Sequence, residues 1–174
     1  MIIEKAAWND LDEMERFYEA VCDHLEATVN YPGWKKGIYP ARNTAERGIA
    51  TGSLYVLRDA QCLAGSFIID QKPEETFSQA DWRADWTDQD VLIVHTLAVH
   101  PAYIHRGLGK QMICWIAQLA RESGIKALRL DVHEKNEPAQ RLYRQCGFEY
   151  IDTIVPRYGG EFDRTRFDLY QKRL

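Results

Sequence analysis

No apolar run in the 174 residues approaches the roughly 20 that a bilayer-spanning helix requires. The opening Met1-Ile2-Ile3-Glu4-Lys5 lacks the basic start and long apolar stretch of a secretion signal. The four cysteines, Cys22, Cys62, Cys114 and Cys146, form no C-x-x-C pair. Three of them sit in apolar surroundings, where a reduced, buried thiol is expected. No His/Cys/Asp cluster has metal-ligand spacing, so no metal is expected. Internal repeats, low-complexity tracts and linkers are absent, and positive charge is not in excess. A formal net charge of -4 and a pI of about 5.7 argue against a general nucleic-acid or anionic-membrane binder. These absences leave a cytoplasmic protein without nucleic-acid or membrane partners. The length suits one domain, 1–174, with a single core.

The composition, 45% hydrophobic and 28% charged, is that of a globular chain. Ile2 to Ala6 reads as a strand, and Asn9 or Asp10 as the cap of a helix ending near Val29. The Asn30-Tyr31-Pro32-Gly33 turn and an aromatic, loop-like segment from Trp34 to Pro40 follow. A weaker helix spans Asn43 to about Ala50. Leu54 to Arg58 and Cys62 to Asp70 read as a hairpin turning at Asp59-Ala60-Gln61. The polar stretch Gln71 to Asp90 carries acids at Glu74, Glu75, Asp81, Asp85, Asp88 and Asp90. Its length predicts a functional loop or a mobile insertion. Val91 to Val99 is a continuous apolar strand, expected to be central. A helix opens at Gly107 and stops at Gly124, followed by a strand from Ala127 to Val132. Asn136 caps a short helix with Pro138 in its first turn and Gly147 past its end. Phe148 to Val155 and Arg166 to Tyr170 close the chain as strands. The fold class is α/β (α+β).

The most informative stretch is Leu97-Ala98-Val99-His100-Pro101-Ala102-Tyr103-Ile104-His105-Arg106-Gly107-Leu108-Gly109-Lys110. A strand runs into a glycine-containing loop that opens directly into a helix. The first helical turn carries unpaired N–H groups and about half a positive charge from the helix dipole. Glycines let an anion approach the backbone, so the site suits a phosphate or pyrophosphate. Arg106 and Lys110 can add side-chain charge. A dinucleotide fingerprint would need a third glycine where Met112 stands. A P-loop would need Ser or Thr where Gln111 stands. A plain strand-to-helix turn uses glycine for its geometry equally well.

Read together, Leu97-x-Val99-x-Pro101, the small residues Gly107 and Gly109, and the block Asn136-x-x-Ala139-x-x-Leu142-Tyr143-x-x-x-Gly147-Phe148 resemble the GNAT superfamily of acyl-CoA N-acyltransferases. The resemblance is firm from Leu97 to Phe148 and topological elsewhere. It departs from the family pattern at Ile104, where the motif usually carries Gln or Arg. It implies a mixed, mostly antiparallel sheet of about six to seven strands with helices on both faces. It further implies N-acetyl transfer from acetyl-CoA, as cosubstrate, to a primary amine by direct attack. By position, Leu97, Ala98 and Val99 would pair with the pantetheine arm through backbone groups. His105, Arg106, Gly107, Leu108, Gly109 and Lys110 would hold the pyrophosphate. Asn136 and Ala139 would line the cofactor cleft, and Tyr143 would point at the sulfur.

Amide formation from a thioester needs a deprotonated amine, N–H donors for the oxyanion and an acid for the departing thiolate. Tyr143 can supply that acid, or simply pack as a core aromatic. His95, two residues before Leu97, is the candidate base, and a structural histidine reads equally well there. Glu134, an acid of the 71–90 stretch and a water chain are rivals. His100 and His105 suit the surface or the cofactor rim, and His133 suits a strand end. The resemblance puts His24, Tyr31, Trp34 and Tyr39 on the acceptor side, with Tyr31 and Trp34 as the binding candidates; they could equally pack the N-terminal helices. A small amine, an amino-acid derivative and a protein amine all remain open as acceptors. Closing-strand pairing would allow a homodimer. The competing class is a noncatalytic acyl-CoA-binding or sensing module, and a general nucleotide-binding domain comes third.

Overall fold

The computed structural model describes residues 1–73, 77, 80–82, 86–155 and 165–174. It contains β1 (Ile2–Lys5), α1 (Leu11–Ala27), α2 (Arg42–Ala50), β2 (Leu54–Asp59), β3 (Cys62–Asp70), β4 (Val91–Val99), α3 (Leu108–Glu122), β5 (Ala127–His133), α4 (Glu137–Gln145), β6 (Glu149–Ile154) and β7 (Phe167–Arg173). The strands form one seven-stranded sheet in the order β1-β2-β3-β4-β5-β7-β6. Pairing is antiparallel for β1–β2, β2–β3, β5–β7 and β6–β7, and parallel for β4–β5. The mixed sheet and the element order agree with the sequence reading. β7 runs further than expected, to Arg173, because β5 pairs with it along its whole length.

The chain divides into two compact units, residues 1–69 with 95–112, and residues 70–94 with 113–174. In the first, Met14, Phe17, Tyr18 and Val21 of α1 recur at helical spacing and are buried. They pack with Ala45 and Ile49 of α2 and with Leu54, Val56, Leu63 and Ala98 of the sheet. Of the two candidates, Asn9 and Asp10, it is Asp10 that stands at the N-cap position of α1, but its side chain makes no capping bond. A short 3-10 turn precedes the helix, and the Asp10 carboxylate accepts the Ala7 N–H at 2.7 Å and the Arg58 guanidinium at 2.6 Å. Gly65 of β3 lies where a Cβ would be 3.0 Å from Met112 Sδ and 3.1 Å from the Ala98 carbonyl oxygen. The missing side chain lets the start of α3 sit close against the sheet.

In the second unit, Phe77, Trp82, Val91, Ile93, Ala127, Ile151, Ile154 and Leu169 form the core. The 71–90 stretch is therefore anchored where it is described, rather than forming a free insertion. The Trp82 indole N–H donates to the Phe77 carbonyl at 2.7 Å, and the Arg129 guanidinium lies 4.1 Å from the Trp82 ring centroid. Of its acids, Glu74, Glu75 and Asp85 lie outside the described residues. Asp90 accepts from Lys126 at 2.8 Å and from the Thr87 N–H and hydroxyl at 3.0 Å each. One cysteine, Cys22, is buried, and Cys62 and Cys114 are exposed. Cys114 has apolar sequence neighbours, but it falls between the buried stripe positions Ile113 and Ile116 of α3 and faces outward.

Candidate active site

β4 is regular up to His95 and then turns at Thr96, which adopts φ 48°. A β-branched residue in the left-handed region is a genuine outlier, costing about 1–3 kcal/mol, and persists only where its surroundings hold it. Thr96 is buried, and its Oγ1 shares a 2.6 Å hydrogen bond with the Tyr39 hydroxyl. The parallel register of β4 with β5 covers Val91–Ile93 against Ala127–Arg129, whereas β4 continues to Val99. Beyond the kink, Ala98 is buried against α1, while Leu97 and Val99 are half-buried. His95 is half-buried on the same strand.

A 3-10 turn, Pro101–Tyr103, leads from β4 into the glycine loop, with the His100 Nδ1 accepting the Ala102 N–H. His105 and Gly107 both have positive φ, 63° and 75°. A Cβ built on Gly107 would meet no atom within 4 Å, so the space beside that backbone is open. The first bond of α3 runs from the Gln111 N–H to the Gly107 carbonyl at 3.1 Å. The amides of Leu108, Gly109 and Lys110 therefore have no intrahelical acceptor. Leu108 is buried and fixes the helix start, whereas Ile104, His105, Arg106 and Lys110 are exposed. The Arg106 guanidinium rests 4.9 Å from the Tyr103 ring centroid. This open, amide-lined cradle has the chemistry to take a diphosphate.

In the second unit, α4 begins at an Asn136 cap whose Oδ1 accepts the Ala139 N–H at 3.2 Å. The Gln140 side chain donates to the Glu134 carbonyl at 2.8 Å and to the Asp168 carboxylate at 3.1 Å, tying the helix to β7. Tyr143 is buried on this helix, with its ring edge-on to Phe148 at 5.6 Å. Burial, reinforced by Asp131 and Cys146, raises its phenol pKa, so it holds its proton through neutral pH. The strand-end His133 and the rival base Glu134 both have partners. His133 accepts the Lys135 N–H at Nδ1, which leaves Nε2 carrying the proton, and Glu134 pairs with Arg166 at 3.3 Å. Among the described residues no group of three or more His, Cys, Asp or Glu is placed to hold a metal ion.

Residues 11–148 match the model of the acetyltransferase (GNAT) family. The chain belongs to that family. As a GNAT protein it is an acyl-CoA-dependent N-acetyltransferase. It is 28% identical to the uncharacterized N-acetyltransferase YycN of Bacillus subtilis over 68% of this chain and 87% of that one. A second relative, the [ribosomal protein bS18]-alanine N-acetyltransferase of Haemophilus ducreyi, is 35% identical over 40% of this chain and 47% of its own. The fold matches a GNAT-family acetyltransferase of Streptococcus agalactiae with a TM-score of 0.80 at 22% identity, covering 99% and 95% of the two chains.

The loop between α1 and α2 is held by its own hydrogen bonds. Lys35 and Tyr39 exchange backbone bonds at 3.0 Å, and the Asn30 side chain clamps Trp34 through both its N–H and its carbonyl. Trp34 meets Tyr39 edge-on at 6.1 Å, so the structure brings these two aromatics together. Tyr31 is exposed, and His24 stays at the end of α1, its carbonyl accepting from Thr28. Among the described residues the buried hydroxyls of Tyr18 and Ser66 complete no hydrogen bond, and burial raises the Tyr18 phenol pKa. Thr96 escaped the sequence reading because a threonine in an apolar strand gives no sign of its backbone hand.

Proposed function

We infer that the chain moves the acetyl group of acetyl-CoA onto a primary amine, as one acetyltransferase domain spanning residues 1–174. The observation that carries this reading is the open cradle at Gly107, where unpaired amides and two left-handed residues precede α3. The bound thioester supplies a carbonyl open to amine attack and a thiolate leaving group. Backbone groups of Leu97, Ala98 and Val99 align the pantetheine arm as an added strand would. His105 to Lys110 hold the diphosphate through amides, with Lys110 and Arg106 contributing charge. Asn136 uses its carbonyl oxygen as a cap, leaving its amide N–H groups for the cofactor beside Ala139. Tyr143 points its Oη hydrogen at the departing sulfur, and its raised pKa supports only that the phenol is protonated there. His95 accepts the amine proton, a reading supported by its half-buried place on β4, two residues before Leu97.

The acceptor side uses Tyr31 and Trp34, whose aromatic faces suit a cationic or apolar amine. A small amine, an amino-acid derivative and a protein amine fit this chemistry, and the Haemophilus relative, a ribosomal-protein alanine N-acetyltransferase, supports keeping a protein amine in the set. No described helix is long and apolar enough to cross a membrane. The working location is the cytoplasm, without nucleic-acid partners, and closing-strand pairing would allow a homodimer. The test combines a melting curve with an amine panel that reads free thiol. At a hundredfold excess over Kd, acetyl-CoA contributes about 2.7 kcal/mol, raising Tm by roughly 5–10 °C. Gly107→Glu, which sets a carboxylate and a strained φ in the cradle, abolishes the rise. A missing shift in the unaltered protein contradicts cofactor binding, and tight binding without turnover on any amine contradicts catalysis.

A further inference from the structure

Thr96 takes the left-handed backbone immediately before the segment assigned to the pantetheine arm. A glycine would accept φ 48° without strain, and threonine does not. Something must therefore hold it, and its hydroxyl shares a 2.6 Å hydrogen bond with the Tyr39 hydroxyl. Tyr39 comes from the loop between α1 and α2, 57 residues away. That loop is rigid where it matters. The paired backbone bonds of Lys35 and Tyr39 close a small hairpin, and Lys36 ties it to Asp23 of α1 at 2.8 Å. A partly exposed tyrosine is thus delivered to a buried strand kink.

We propose that Tyr39 is a positioning residue for cofactor binding: its hydroxyl locks Thr96 in the left-handed conformation that aims the Leu97–Val99 backbone at the pantetheine arm. This rests on the acetyl-CoA reading above. Tyr39 acts through Thr96 and need not touch the cofactor. Loss of the hydroxyl lets the strand relax towards extended geometry, and the aligned segment exists only part of the time. Apparent affinity then falls by the fraction of competent molecules. A residue that needs no restraint at position 96 removes the dependence.

The experiment measures acetyl-CoA Kd by calorimetry in the unaltered protein and in Tyr39→Phe, Thr96→Val, Thr96→Gly and Tyr39→Phe/Thr96→Gly, after denaturant melts confirm cooperative folding. Tyr39→Phe weakens binding about tenfold, a coupling typical of contacting residues. Thr96→Val, which keeps the strain and the shape but loses the hydroxyl, weakens it equally. Thr96→Gly stays within about twofold of the unaltered protein, and adding Tyr39→Phe to it changes nothing further. If Tyr39→Phe binds normally, or costs the same factor on the glycine background, the positioning role is overturned. Should the glycine variant not fold, the matched losses of Tyr39→Phe and Thr96→Val decide the matter, and unequal losses overturn it. Failure of the unaltered protein to bind acetyl-CoA would instead strike the functional reading, which separates the two.

Discussion

Tyr143 is the side chain whose environment most limits what chemistry it can do. A buried phenol with a raised pKa cannot serve as a base at neutral pH; it stays protonated and can donate a hydrogen bond that stabilises charge on a departing thiolate. Tyr143→Phe keeps the ring against Phe148 and removes only the hydroxyl. Turnover is expected to fall about a hundredfold with acetyl-CoA Kd unchanged. The rate profile also has a definite sign. Because the phenol pKa is raised, Tyr143 stays protonated beyond pH 10, so no alkaline fall below that pH belongs to it. A limb that disappears in Tyr143→Phe at pH 8–9 would contradict the assignment. Tyr143, Asn136 and the glycines were legible in the sequence because their chemistry travels with fixed spacing. Thr96 and Tyr39 were not, since their relation joins residues 57 positions apart through a backbone reversal that no local pattern signals.

At the level of elements, the start of α3 depends on close approach. Gly65 leaves no room for a side chain between Met112 and the Ala98 carbonyl. Gly65→Val therefore overpacks the β3–α3 contact and costs about 1–3 kcal/mol in denaturant unfolding, with weaker acetyl-CoA binding. A variant of normal stability and affinity would show that this approach does not matter. The junction before β4 is electrostatic. The Lys126 ammonium and the Thr87 donors lower the Asp90 pKa from 3.8 to about 2. A depressed carboxylate stabilises the fold above its unfolded value, and the effect fades as pH falls from about 4 to about 2. Asp90→Asn should lower the urea midpoint at pH 7 and leave little difference at pH 2. An equal difference at both pH values would assign the loss to something other than charge. The helices and strands themselves follow hydrophobic periodicity, which is why α1 and α3 were readable within a few residues. The packing of Phe77 and Trp82 was not readable, because two aromatics amid acids carry no period.

For the molecule as a whole, the family match over residues 11–148 draws on segments from both compact units. β4 runs along the chain directly into the loop before α3, and its opening residues pair in parallel with β5. In the proposed function, activity turns on a small amount of backbone: the amides that precede the first bond of one helix. Hydrogen exchange followed by mass spectrometry, with and without saturating acetyl-CoA, reads those amides directly. Segments covering residues 97–110 should exchange markedly more slowly with the cofactor, and Gly107→Glu should erase the difference. Unchanged exchange there, with protection elsewhere in the chain, would show that acetyl-CoA is held by other residues.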